Sequence, residues 1–299
     1  MGIRVNPDVY GVILNGLQIN KQQQDQALQQ VSTGQKLNSL SDNPSAAAAL
    51  VNLRTQSDAD TQYLQNISTL TGSLNVANSA LSSVVEALTS AQTVGVEGAD
   101  STLNGSNREA LAQQIQGIQQ EILGLANTSY NGQYLFSGTA TTTKPYVENS
   151  SSASGVTYNG DSNTNSVEIS AGQAMPINLP GSQLFSSTTS SVFQALQDLS
   201  TALTTNSNIS GATAEVQQAL NYVSTQQTFY GNSVDRLNNA QTFLTQEQLQ
   251  LTKSESASVD VDMAAAVTNL TQSETVQQAL VQAGGQLSQA DLFDYLPTQ

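Results

Sequence analysis

Carboxylates are the only side chains in this sequence from which conventional acid–base or metal chemistry can be built. The chain contains no Cys, no His and no Trp, which removes thiolate and imidazole ligands, Cys or His nucleophile–base pairs, and haem ligation by those residues. Asp58 and Asp60 stand two apart in a helical stretch and do not share a face. Asp260 and Asp262 sit just before a helical pattern and read as capping residues. Asp198, Glu215, Asp235 and Glu247 have the spacing of solvated charges. Carboxylate catalysis needs a cleft that drives two pKa values apart, and no pairing of that kind is legible. The expectation is a chain that is not an enzyme, with no catalytic, cofactor or metal residues. Tyr134, Tyr146 and Tyr158 form a series that can stack on glycans, but aromatics in a small β region usually fill its core. The sequon Asn66-Ile67-Ser68 falls within a helical stretch.

The elements that would position any site have an unusual composition. Charged residues make up 10% of the 299 positions, against about 25% in ordinary globular domains, and Asn, Gln, Ser and Thr take their place. Formal net charge is −15, from 8 basic and 23 acidic residues. The scattered basic residues make nucleic acid a poor partner and give no attraction to an anionic membrane surface. No apolar run reaches the length of a membrane span, and Asn6-Pro7-Asp8 interrupts the start where a signal peptide would need an apolar core.

Periodicity puts helices at both ends and β structure between them. A first helix is expected from Val9 to Val31 with a thin apolar stripe, interrupted by Asn20 and Gln24 and ended at Gly34. Asp42 or Asn43 can cap a second helix that opens at Pro44. Its seam (Leu50, Leu53, Leu64, Ile67, Leu74, Leu81, Val85, Leu88) runs to Val94, about 75 Å at ~1.5 Å per residue. Gly95, Gly98 and Gly105 mark a loop, and Ser106 with Glu109 reads as a capping box. The next seam is Leu111, Ile115, Ile118, Ile122 and Leu125, on a helix expected to fold back antiparallel. Short β-prone stretches separated by turn signals then fill residues 135 to about 184. Helix returns at 191–204, from about Ala212 with Val216, Val223, Tyr230, Leu237, Leu244 and Leu251 on its seam, and from Met263 to about Gln289.

Burying these seams requires the two arms to pack on each other and pushes the middle outward. The expected fold class is mainly α with a β-rich insert: an elongated antiparallel coiled-coil or helical bundle with a small distal β domain. The divisions are 1–43 and 259–299 as terminal assembly helices, 44–134 and 191–258 as halves of a helical rod, and 135–190 as the β-rich domain. The outermost helices carry too few large apolar residues to be stable alone, and Leu292-Phe293-Asp294-Tyr295-Leu296 is an apolar ending. Both ends are therefore expected to complete themselves against neighbouring copies. An ordinary surface helix, or a tail docked on its own monomer, is the alternative for each feature taken singly. The expected assembly surface is Leu17, Leu28, Val31, Leu270, Leu280, Leu287, Leu292, Phe293 and Leu296.

Three stretches carry a family likeness. Leu28-Gln29-Gln30-Val31-Ser32-Thr33-Gly34-Gln35-Lys36-Leu37 and Ser41-Asp42-Asn43-Pro44-Ser45-Ala46-Ala47-Ala48-Ala49-Leu50 resemble the N-terminal region of the flagellin family. Asn131-Gly132-Gln133-Tyr134-Leu135-Phe136-Ser137-Gly138 is similar to its helix-to-β transition, and Glu255 through Leu296 to its ending. The likeness covers both helical arms in the family's order. It implies a structural subunit of the bacterial flagellum, exported unfolded through the type III apparatus and found outside the cell. Pro44 is more like a hook–filament junction member than a filament flagellin, which stands as the alternative. The implied partners are the protein's own copies, a hook-side hook-associated protein, flagellin and a flagellar export chaperone, with no cofactor and no membrane insertion. A glycan-binding or enzymatic β domain on a helical stalk is the competing reading from another class, resting on the tyrosine series.

Overall fold

The computed structural model describes residues 7–37, 43–186 and 191–293; for 7–10 and 287–293 it describes the backbone only. The chain divides into two compact units, one formed by residues 1–58 and 247–299, the other by 59–246. The order of elements is α1 (Pro7–Thr33), α2 (Pro44–Gly98), α3 (Gly105–Ala126), β1 (Ser129–Tyr130), β2 (Gln133–Tyr134), β3 (Tyr146–Glu148), β4 (Val156–Tyr158), β5 (Ser166–Ser170), β6 (Gln173–Pro176), α4 (Gly181–Leu184), α5 (Val192–Thr205), α6 (Ile209–Val259) and α7 (Met263–Phe293). This is a mainly α chain with a small β-rich segment in its middle.

Local chemistry sets most boundaries. Gly34 takes φ +70 after α1 and donates its N–H to the Gln30 carbonyl, a left-handed stop that a side chain would strain. Asn43 starts α2 by accepting the Ala46 N–H at 3.1 Å, and Pro44 occupies the first helical position, where its missing N–H costs nothing. Asp262 opens α7 by accepting from the N–H groups of Ala264 (3.0 Å) and Ala265 (3.2 Å). Asp42 lies outside the described residues.

Two sequence expectations fail around the α2–α3 connection. Gly95 and Gly98 belong to α2 itself and are buried. A Cβ on Gly95 would sit 2.5 Å from the Thr213 hydroxyl oxygen, and one on Gly98 would overlap Leu203. These glycines are there for close helix packing, which outweighs their weak helix propensity. The cap of α3 is Asn104, not a Ser106–Glu109 box. Its side chain accepts the Asn107 N–H at 2.8 Å, and the Ser106 hydroxyl also donates to it. Asn104→Ala is expected to cost about 1 kcal/mol, read as a lower denaturation midpoint with an unchanged denaturant slope.

The core of the 59–246 unit is continuous. It joins Ile67, Leu74, Leu81, Val84 and Leu88 of α2, Ile115 and Ile122 of α3, Phe193, Leu196 and Leu199 of α5, and Val216, Val223, Tyr230, Leu237 and Leu244 of α6. α3 packs along α5. The β segment has three two-stranded antiparallel pairs, β1–β2, β3–β4 and β5–β6, with Asn131-Gly132 turning the first. It has no separate core and is fastened to the helices by aromatic rings and amides. Phe136 meets Phe185 and Tyr230 edge-on at 5.7 and 6.4 Å, and Tyr146 lies 5.0 Å from Phe193. The Tyr146 hydroxyl donates to the Gly181 carbonyl at 2.8 Å. Asn127 at the end of α3 accepts the Tyr146 N–H and donates to its carbonyl, both at 2.9 Å. Burial raises the Tyr146 and Tyr230 phenols above the usual tyrosine range. Hydrogen bonds, first from the Thr139 hydroxyl, hold the Asp161 carboxyl below its ordinary value. Tyr146 is thus fully enclosed while Tyr134 and Tyr158 are half-buried, and the three do not form an exposed stacking ladder.

Candidate assembly surface

The unit formed by the two chain ends is built differently. α1 and α7 pack against each other and run antiparallel. Gln35 pairs with Asp260 in an isolated bridge, closed by Lys36 N–H to the Val259 carbonyl at 2.6 Å and Val261 N–H to the Gly34 carbonyl at 3.1 Å. Farther along, Asn20 meets Ser273, Gly16 faces Leu280, and Gly284 faces Ile13. At the other side of this unit Arg54 pairs with Glu255 at 2.8 Å and Gln56 donates to Glu247 at 2.7 Å. Among the described residues the unit's buried apolar side chains are Ala27, Ala47, Leu251, Val259 and Ala266. Within the α1–α7 pair that leaves two alanines, with Asn20 and Ser273 as the buried polar members. At ~25 cal/mol per Å² of apolar surface, alanine-lined contacts stabilise a helix pair very little, and helices in water depend on such contacts.

Beyond the half-buried Ile13, Leu17, Val31, Leu270 and Leu280, these helices carry large apolar side chains that face outward. Val12 (68% exposed), Leu14, Ile19 and Leu28 on α1 are open, as are Val267, Val276 and Val281 (57%) on α7. At about 100° per residue, Val12 and Ile19 fall on one flank of the α1 seam and Leu14 and Leu28 on the other. Val267 and Val281 likewise lie on the opposite flank of α7 from Val276. The pair therefore shows apolar surface on both sides of its own contact. Asn20, Gln23, Gln26, Gln30, Asn269 and Gln272 line a groove of about 460 Å³ between the two helices, with neutral amides in place of charges.

Of the residues expected from sequence, Leu28 is exposed, and Leu17, Val31, Leu270 and Leu280 are half-buried. The side chains of Leu287, Leu292 and Phe293, and all of Leu296, lie outside the described residues. Sequence reasoning followed the Leu positions of the seam and missed Val12, Ile19, Val276 and Val281. Their signal was present as β-branched residues off the seam of a helix otherwise made of Gln, Asn and Ala. Among the described residues no three His, Cys, Asp or Glu side chains cluster as a metal site, and no helix is long and apolar enough to cross a membrane.

Known proteins resemble this chain in sequence and in fold. The family description "bacterial flagellin N-terminal helical region" matches residues 10–141, and "bacterial flagellin C-terminal helical region" matches residues 213–296. The flagellar hook-associated protein 3 of Escherichia coli is 28% identical over 291 residues, covering 89% of this chain and 90% of that protein. Flagellin B of Helicobacter pylori is 28% identical over 140 residues, 46% of this chain and 27% of the flagellin. A solved flagellar hook-associated protein structure from Vibrio parahaemolyticus superposes with a TM-score of 0.66 at 24% identity, covering 73% of this chain and all (100%) of that one; at that identity it speaks for the fold alone. Both helical arms are matched, at their own ends of the sequence and together over most of its length, and the chain belongs to the flagellin family.

Proposed function

We propose that this protein is a structural subunit of the bacterial flagellum that joins hook to filament, with no catalytic role. The observation that carries this is the reach of the likeness. The match to a hook-associated protein runs through the β segment and spans nearly the whole of both chains, whereas the match to a flagellin covers 46% of this chain and 27% of the flagellin. The open apolar flanks of α1 and α7 supply the means, because each copy has surface to offer a neighbour on either side. The assembly surface in this reading comprises Leu17, Leu28, Val31, Leu270, Leu280, Leu287, Leu292, Phe293 and Leu296, joined by Val12, Ile19, Val276 and Val281. Residues 1–43 and 259–299 act as the assembling ends, 44–134 and 191–258 as the rod, and 135–190 as the outward part. The partners are further copies, a hook-side hook-associated protein and flagellin, outside the cell, with a chaperone before export.

Electron microscopy of the purified chain, with and without isolated hook ends, tests this reading. Short assemblies seated on hook ends are expected. Long filaments grown from this chain alone would instead make it a filament flagellin.

A further inference from the structure

We infer that Asn20 sets the register in which α1 pairs with α7, and so which residues of each helix are left open on the flanks. Asn20 is 5% exposed, and its side-chain amide donates to the Ser273 backbone carbonyl at 2.8 Å. Ser273 is itself buried, with its hydroxyl turned back to the Asn269 carbonyl at 2.8 Å. A small residue at 273 leaves its carbonyl reachable from α1.

The other devices that fix helix register are weak here. Among the described residues the one ion pair is Arg54–Glu255, which joins neither α1 nor α7. The fully buried apolar residues of the pair are alanines, Leu17, Val31, Leu270 and Leu280 are only half-buried, and Leu280 and Ile13 lie 3.9 Å from a Cβ built at Gly16 and Gly284. The Gln35–Asp260 bridge holds the root alone, and its backbone hydrogen bonds face competition from water. A slide of one heptad puts Leu280 opposite Asn20 in place of Ser273, setting a bulky side chain between the buried amide and the backbone carbonyl it would need. A lone buried Asn at a helix–helix seam is the best-attested device for choosing one register over others at some expense of stability. This inference concerns the isolated chain and stands whether or not the protein bridges hook and filament.

The absence of cysteine gives a clean background for the test. Ile13→Cys with Gly284→Cys reports the observed register, and Ala27→Cys with Gln277→Cys reports the one-heptad offset that sets Leu280 opposite Asn20. Each pair is oxidised in the full-length monomer and read as intramolecular cross-link on non-reducing gels. With Asn20 present, only the first pair should close. With Asn20→Leu, helix content should hold while the offset cross-link rises about tenfold or more relative to the in-register one, the factor set by an unsatisfied buried amide. Asn20→Ala serves as the second background in case leucine perturbs the helix. In-register closure alone in both variants would overturn the inference, as would failure of the first pair to close in the parent.

Discussion

Val12→Ser with Ile19→Ser should abolish addition of the protein to its assembly while leaving the monomer's circular dichroism unchanged. Val12 is 68% exposed and Ile19 48%, so the monomer loses little when they are removed. In an assembly the same two side chains would be covered by a neighbour, at about 1.5–3 kcal/mol each. Losing both weakens each contact by about 2–3 kcal/mol, roughly thirtyfold to a hundredfold in association constant, and the loss recurs at every copy. Sedimentation or scattering across a concentration series reads the shift directly. Assembly at the parent concentration would show that this flank of α1 faces no neighbour. The single change Val147→Ser, on a strand of the β segment and 39% exposed, is the control that should leave assembly intact.

Phe136→Ala should destabilise the 59–246 unit by about 3–5 kcal/mol, the range for deleting a fully buried aromatic ring. Phe136 is completely enclosed and makes edge-on contacts with Phe185 and Tyr230, which add to the transfer term. Its backbone carbonyl also accepts the Gly181 N–H at 2.7 Å, so the cavity would open where β2, α4 and α6 meet. Chemical denaturation followed by near-ultraviolet circular dichroism measures the loss. A cost under about 1 kcal/mol would mean that the β segment is held on by something other than this aromatic group.

Much of this architecture was legible in the sequence because its signals are local. Pro44 after Asn43, Gly34 after a Gln-rich helix, and Asp262 before Met263 each specify a helix end through one backbone hydrogen bond or one dihedral angle. The seams of α2, α3 and α6 follow from spacing alone, and the structure buries or half-buries the Leu, Ile and Val positions along α2 and α3. What escaped depends on partners distant in sequence. Gly95 and Gly98 look like loop residues until Thr213 and Leu203 are brought against them. Asn20 looks like a flaw in an apolar stripe until Ser273 presents its carbonyl. The flanking residues Val12, Ile19, Val276 and Val281 were invisible to a search for one seam, because they lie off it, on either side of the α1–α7 contact. Ser106 and Glu109 have the spacing of a capping box, yet the helix starts earlier, with Asn104 accepting the Asn107 N–H.

The central claim is that the chain's two ends form a pair that is under-packed on its own and is completed by neighbours. Hydrogen exchange of the isolated monomer, followed amide by amide, addresses it most directly. The amides of α1 and α7 should exchange through low-energy local opening, with protection orders of magnitude below that of α3, α5 and the part of α6 between Val216 and Leu244. Equal protection in the two sets would mean that alanine, asparagine and serine contacts suffice to hold the terminal pair, and the account would be wrong.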